Sequence, residues 1–97
     1  MKVIWTREAE RDLDEAIEYI AERNPRAAAW MEELVVTAAA KLSEFPNRGK
    51  SGLIMGTREI FPHQSYRLVY EVRKGEVWIV AVVHTARRWP PAGESDQ

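Results

Sequence analysis

Tyr66-Arg67-Leu68-Val69-Tyr70-Glu71-Val72-Arg73-Lys74-Gly75-Glu76-Val77-Trp78-Ile79-Val80-Ala81-Val82-Val83-His84 is the stretch on which the fold turns. Residues 66 to 73 and 76 to 84 are rich in β-branched and aromatic side chains and are parted by Lys74-Gly75, the pattern of two strands joined by a turn. The run Val77 to Val83 is apolar on both alternating faces, which predicts a central strand covered from each side. Upstream, a third strand is predicted from Ile54 or Gly56 to Phe61, separated from Tyr66 by Pro62-His63-Gln64-Ser65. The three runs predict an antiparallel meander.

Towards the N-terminus the pattern changes. Pro46-Asn47-Arg48-Gly49-Lys50-Ser51-Gly52 cannot continue a helix and reads as a loop. Before it, Ala28, Met31, Val35, Ala38, Leu42 and Phe45 recur every three or four residues, predicting a helix from Pro25 through Glu44 with Asn24 as its cap. Ala9, Leu13, Ala16, Ile17 and Ile20 recur likewise, predicting an amphipathic helix capped by Thr6. Lys2-Val3-Ile4-Trp5 suits a short strand that joins the sheet. The expected fold is α+β: a short N-terminal strand, an antiparallel helical hairpin, then a three-stranded antiparallel meander. Residues 1–97 fit a single domain, with a frayed tail from about residue 91.

Composition narrows the function. The 97 residues are 45% hydrophobic and 30% charged, with no cysteine, so a disulfide framework and a thiolate metal site are excluded. The N-terminus turns charged too early for a signal peptide and no apolar run is long enough for a membrane helix, so a cytoplasmic location without membrane association is expected. The net charge of −1 argues against a general nucleic-acid binder. Residues 1 to 47 nevertheless carry six basic and ten acidic side chains, and residues 48 to 97 eight and five. An anionic partner should meet the second half, unless the clustering is only that of surface charges in a small protein.

Catalytic constellations are sparse. His63 and His84 lack nearby second ligands, so neither a metal nor another cofactor is expected. The serines lack a nucleophile elbow. Gly49-Lys50-Ser51 lacks the earlier glycine of a phosphate loop and follows a helix rather than a strand. Arg58, Arg67, Arg87 and Arg88 all fall in the sheet half and can fork onto phosphate or carboxylate. Two readings stay open for Arg67, Arg87 and Arg88: contact with an anionic partner, or pairing and solvation within the chain. For Arg58 the favoured reading is a pair with a carboxylate such as Glu71. Trp5, Trp30 and Trp78 read as core or rim, and Trp89 as an anchor for the C-terminal segment over the sheet.

Several words of the sequence carry a resemblance. They are Trp5-Thr6 with Ala9-Glu10-Arg11-Asp12-Leu13; Tyr19-Ile20-Ala21-Glu22 with Asn24-Pro25; Gly56-Thr57-Arg58-Glu59; Tyr66-Arg67-Leu68-Val69-Tyr70-Glu71-Val72; and His84 with Arg87, Arg88, Trp89 and Pro90. In this order, over about residues 3 to 90, the chain resembles the RelE/ParE superfamily of type II toxins. The resemblance implies a toxin held silent by a cognate antitoxin in a hetero-oligomer. It leaves two functional branches open, because one fold serves both.

The RelE-like branch cleaves messenger RNA on the ribosome with basic residues on the sheet. Arg67 matches its sheet arginine and Arg58 one basic position, but a second basic position reads Ile60, another reads Ala86, and no tyrosine follows Tyr70. The ParE-like branch, associated with inhibition of DNA gyrase by binding and without chemistry of its own, resembles the ending His84 to Pro90 better. The expected function is therefore a ParE-like, non-enzymatic gyrase inhibitor with no sequence-specific nucleic-acid contact. The alternatives are a RelE-like ribosome-dependent endonuclease and a relic that binds only antitoxin. Candidate target-binding residues are Arg58, Arg67, His84, Arg87, Arg88 and Trp89. Candidate antitoxin-binding residues are Leu13, Ile17, Ile20, Met31, Leu34 and Val35.

Overall fold

The computed structural model describes residues 1–91 of the chain; beyond Pro91, the tail expected to fray lies outside the described residues. Strand β1 (Lys2–Trp5) leads into α1 (Arg7–Ala21) and α2 (Pro25–Lys41), followed by β2 (Lys50–Ser51), β3 (Arg58–His63), β4 (Tyr66–Arg73) and β5 (Glu76–His84). The sheet runs β1-β5-β4-β3-β2, antiparallel except where β1 lies parallel to β5, Val3 opposite Val77. Both helix starts are capped as their sequences require. Thr6 Oγ1 accepts from Ala9 N–H at 3.1 Å, and Asn24 Oδ1 from Ala27 N–H at 3.1 Å with Pro25 following. Among the described residues no helix is long and apolar enough to cross a membrane.

Three boundaries differ from expectation. Helix α2 stops at Lys41 rather than Glu44, because Leu42, Ser43 and Glu44 N–H donate three residues back, tightening the last turn before Pro46. The stretch read as a loop contains β2, whose Lys50 and Ser51 face Glu59 and Arg58. Strand β3 begins at Arg58, after a turn in which Gly56 takes φ +86°, and runs through Pro62 to His63. A register shift between Ile60 and His63 lets Pro62 stand where no ladder N–H is needed.

One face of the sheet carries the helices. Ala9 and Leu13 of α1, and Met31, Val35 and Ala39 of α2 with Leu42 just beyond it, pack on Leu68, Tyr70, Val77, Ile79 and Val82. Among the described residues no helix lies over the other face. There Val69, Ala81 and Val83 are buried beneath Val80 and Trp89. Strand β5 is thus covered on both sides as its sequence predicts, although β4 rather than β5 occupies the middle of the sheet.

Candidate functional site

The helix-free face is built by strand alternation. Glu59 pairs with Val69 and Arg67 with Val83, so these four side chains share it. Glu59 is only 2% exposed, and both its oxygens are occupied. Oε1 accepts from Arg67 Nη1 at 2.9 Å and Oε2 from the Leu53 N–H at 3.0 Å. Beside this pair Phe61 meets two cations, with Lys50 Nζ 5.1 Å and Arg67 Cζ 5.5 Å from its ring centroid. Arg67 Nε is buried without a hydrogen-bond partner among the described residues.

The C-terminal segment turns back at the end of β5. Thr85 N–H donates to Ser65 O at 2.8 Å, Thr85 Oγ1 to Gln64 O at 3.0 Å, and Arg87 N–H to His84 O at 2.9 Å. Arg87 and Arg88 are exposed, and Trp89 lies half-buried over the Val69, Ala81 and Val83 cluster. His84 Nδ1 accepts the Ala86 N–H at 2.9 Å, so in the neutral ring the proton sits on Nε2.

On the helix side of that turn lies a cavity of about 490 Å³, lined among others by Asp12, Tyr19, Tyr66, His84 and Arg87. Tyr66 and His84 stack edge to face, centroids 5.1 Å apart. Burial raises the Tyr66 phenol above its ordinary value. Asp12 reaches from α1 to accept the Val82 N–H at 3.0 Å. Burial pushes its carboxyl above the ordinary 3.8, aided by Glu15 and Glu8 and opposed by the Val82 hydrogen bond and Arg87.

The sign of that shift makes a prediction. Asp12 has a higher value folded than unfolded, so between 3.8 and its raised value the folded chain binds more protons and stability falls as pH rises. Asp12→Asn keeps an acceptor for Val82 and removes the desolvated charge. Its thermal midpoint at pH 7 should equal or exceed the parent's, with a shallower fall across that window. Asp12→Ala leaves the Val82 N–H unpaired and should lose about 1–3 kcal/mol. An Asn variant as unstable as the Ala variant would show that the charge, not the hydrogen bond, ties α1 to β5.

Comparison with known proteins supplies the family. The model of the ParE toxin of the type II toxin-antitoxin system parDE matches residues 3–89. The chain belongs to the ParE toxin family. It is 39% identical to the toxin RelE2 of Caulobacter vibrioides over 87 residues, covering 89% of this chain and 97% of that one. The fold matches a chromosomal ParDE system from P. aeruginosa with a TM-score of 0.79 at 22% identity, over 87% of this chain and 95% of that one. It also matches a YoeB/ParE toxin from Agrobacterium tumefaciens with a TM-score of 0.61 at 18% identity, over 87% and 98%. Similar proteins thus carry both the RelE and the ParE name.

Within this ParE family member the expected residues do not converge on one point. Arg67 and Trp89 lie on the helix-free face, and His84 and Arg87 line the cavity on the opposite side. Arg58 does not pair with Glu71; its Nη1 donates to Gly49 O at 2.7 Å and Asn47 O at 3.3 Å, while Glu71 is held by Arg73. The register explains this, since Arg58 stands opposite Tyr70 and so faces the other side of the sheet from Glu71.

The residues expected to bind antitoxin lie at different depths in the chain. Leu13, Met31 and Val35 are buried in the core, and Ile17, Ile20 and Leu34 are half-buried against it. Leu34 alone of the six also lines an open groove between α2 and β3, with Trp30, Ala38, Ile60, Phe61 and Lys41. Sequence reasoning passed over Glu59, Phe61 and Asp12. The alternation of β3 against β4 was the available signal for Glu59, because it sets that carboxylate on the face of Arg67. Among the described residues no three His, Cys, Asp or Glu side chains gather as a metal would require.

Proposed function

We propose that the chain is a toxin that arrests growth by binding a protein target, DNA gyrase, without chemistry of its own, and that a cognate antitoxin silences it. The observation that carries this reading is the state of Arg67. The sheet arginine that a nuclease would use on phosphate is bonded to a buried carboxylate, and both oxygens of that carboxylate are taken. His84, with Nδ1 accepting a backbone N–H, offers no free lone pair in its neutral form. RNA cleavage needs both a proton acceptor and charge stabilisation, and each typically contributes orders of magnitude. The ParDE system among the structural matches supports an antitoxin partner. The groove between α2 and β3 suits it: apolar walls from Trp30, Leu34 and Phe61 with Lys41 and Arg48 beside them fit an acidic amphipathic segment that orders on binding.

Target contact is assigned to Arg87 and Arg88, exposed and free to meet an anionic surface. Expression of the chain alone should give filamentous cells with DNA damage and no codon-specific cuts by primer extension. Replacing both arginines by alanine should abolish arrest while changing stability by under about 0.5 kcal/mol. The RelE name of one relative favours a second reading, the ribosome-dependent endonuclease. Ribosome-bound messenger cut by the purified chain, and spared by a folded Arg67→Ala variant, would establish that reading instead.

A further inference from the structure

The turn at residues 52–57, between β2 and β3, combines high exposure with tight bonding. Met55 is 98% exposed and Leu53 63%. Gly52 N–H donates to Thr57 O at 2.8 Å, and the Thr57 N–H and Oγ1 both donate to Ile54 O, at 3.1 and 2.6 Å. The Leu53 N–H donates to Glu59 Oε2. Thr57 and Glu59 are the buried polar residues of the described chain, and both hold this turn. A side-chain Cβ at Gly52 would collide with Thr57 Oγ1, and Gly56 takes a φ of +86°, so the backbone admits little else. A desolvated carboxylate and a buried hydroxyl therefore fix a turn whose outward side chains are apolar. Core packing gains nothing from that arrangement.

We propose that this turn is a preformed anchor for the toxin's protein target, with Leu53 and Met55 entering an apolar pocket whose rim is acidic. The inference rests on the reading above that the chain acts by binding a protein. Three observations fix the partner's chemistry. Residues 45–58 contain no Asp or Glu, while Arg48 and Lys50 are exposed beside the turn, so complementarity asks for acidic groups around the pocket. A projecting anchor requires a pocket that already exists, which a folded target has and an unfolded antitoxin segment lacks. A rigid turn loses little entropy on docking, the property that concentrates binding energy in a few side chains, and methionine suits an irregular apolar pocket. Glu59 ties the turn to the β3 side of the helix-free face, while Trp89 enters the same face from β5. The anchor and Trp89 therefore flank one surface.

The test uses the full chain at matched expression, with growth arrest, antitoxin affinity by titration calorimetry and thermal midpoint measured together. Leu53→Ser with Met55→Ser should raise the expression needed for arrest by about tenfold or more, with antitoxin affinity and midpoint unchanged. Met55→Glu, at a side chain open to solvent, carries the same expectation should the double variant fold poorly. Met55→Leu should retain arrest, and so should Val36→Ser, which removes an exposed apolar side chain on α2. Full arrest by the double variant or by Met55→Glu overturns the anchor alone, as does a folded variant that loses antitoxin binding instead. A silent parent chain overturns the toxin reading and the anchor with it.

Discussion

Glu59→Ala should destabilise the chain by about 3–5 kcal/mol, the usual consequence of leaving one member of a buried ion pair alone. The Glu59 side chain is 1% exposed and that of Arg67 15%, so water has little access to the lost partner's place. Arg67 Nε already lacks a partner among the described residues, and removal of the carboxylate would orphan Nη1 and the Leu53 N–H as well. In a domain of this size each kcal/mol moves the midpoint by about 4–8 °C, so thermal melting followed by circular dichroism reads the effect directly. Arg67→Ala should be comparably harmful, since it strands a buried carboxylate. Glu59→Leu combined with Arg67→Met removes both charges at similar volume and should recover most of the loss. A Glu59→Ala midpoint within a few degrees of the parent's would mean that water hydrates the pair and that Arg67 is free for a partner.

An Arg67→Ala variant that no longer arrests growth has lost part of its fold before it has lost any contact with a target. Only the doubly neutral variant separates the two. Arrest by a stable Glu59→Leu, Arg67→Met chain would place the functional surface elsewhere, at Arg87, Arg88 and the turn at 52–57.

The backbone plan was legible because local chemistry dictates it. Lys74 and Gly75 both take positive φ, 45° and 80°, so β4 ends and β5 begins where the turn residues stand. Thr6 and Asn24-Pro25 mark helix starts by capping geometry that depends on neighbours in sequence alone. The site was less legible because it depends on register. Arg58 and Arg67 look alike in a string of residues, yet their opposite faces send one to the carbonyls of Asn47 and Gly49 and the other to Glu59. A two-residue strand such as β2 shows no periodicity to detect. The helices posed a different difficulty. Their apolar stripes were clear, but the stripe that docks on the chain's own sheet and one that awaits a partner have the same sequence pattern.

The second large effect concerns the segment that carries Arg48 and leads to β2. Tyr70 is fully buried, and its hydroxyl donates to Pro46 O at 2.7 Å and accepts the Gly49 N–H at 2.8 Å, pinning the 46–49 segment beneath β4. Tyr70→Phe removes both bonds and leaves a buried amide and a carbonyl to find other partners. With about 1–3 kcal/mol for each group left unsatisfied, a loss of about 2 kcal/mol or more is expected. The Gly49 amide should also lose protection from hydrogen exchange well before the β4 and β5 amides. Gly49→Ala attacks the same point from the other side. A Cβ there would lie 2.7 Å from Tyr70 Oη, 2.8 Å from Cε1 and 2.9 Å from the Glu59 carbonyl, closer than ordinary contacts allow. Overpacking of this kind typically costs about 1–3 kcal/mol, and the backbone carbonyl cannot swing aside as a side-chain tip could. The two substitutions touch the same atoms and should not add. Removing Tyr70 Oη makes room for the new methyl, so the double variant should be less destabilised than the sum of the singles by about 0.5–3 kcal/mol, the range of coupling between contacting residues. Strict additivity in that cycle would show that the segment relaxes away from Tyr70 in either single variant, and that the hydroxyl does not hold it.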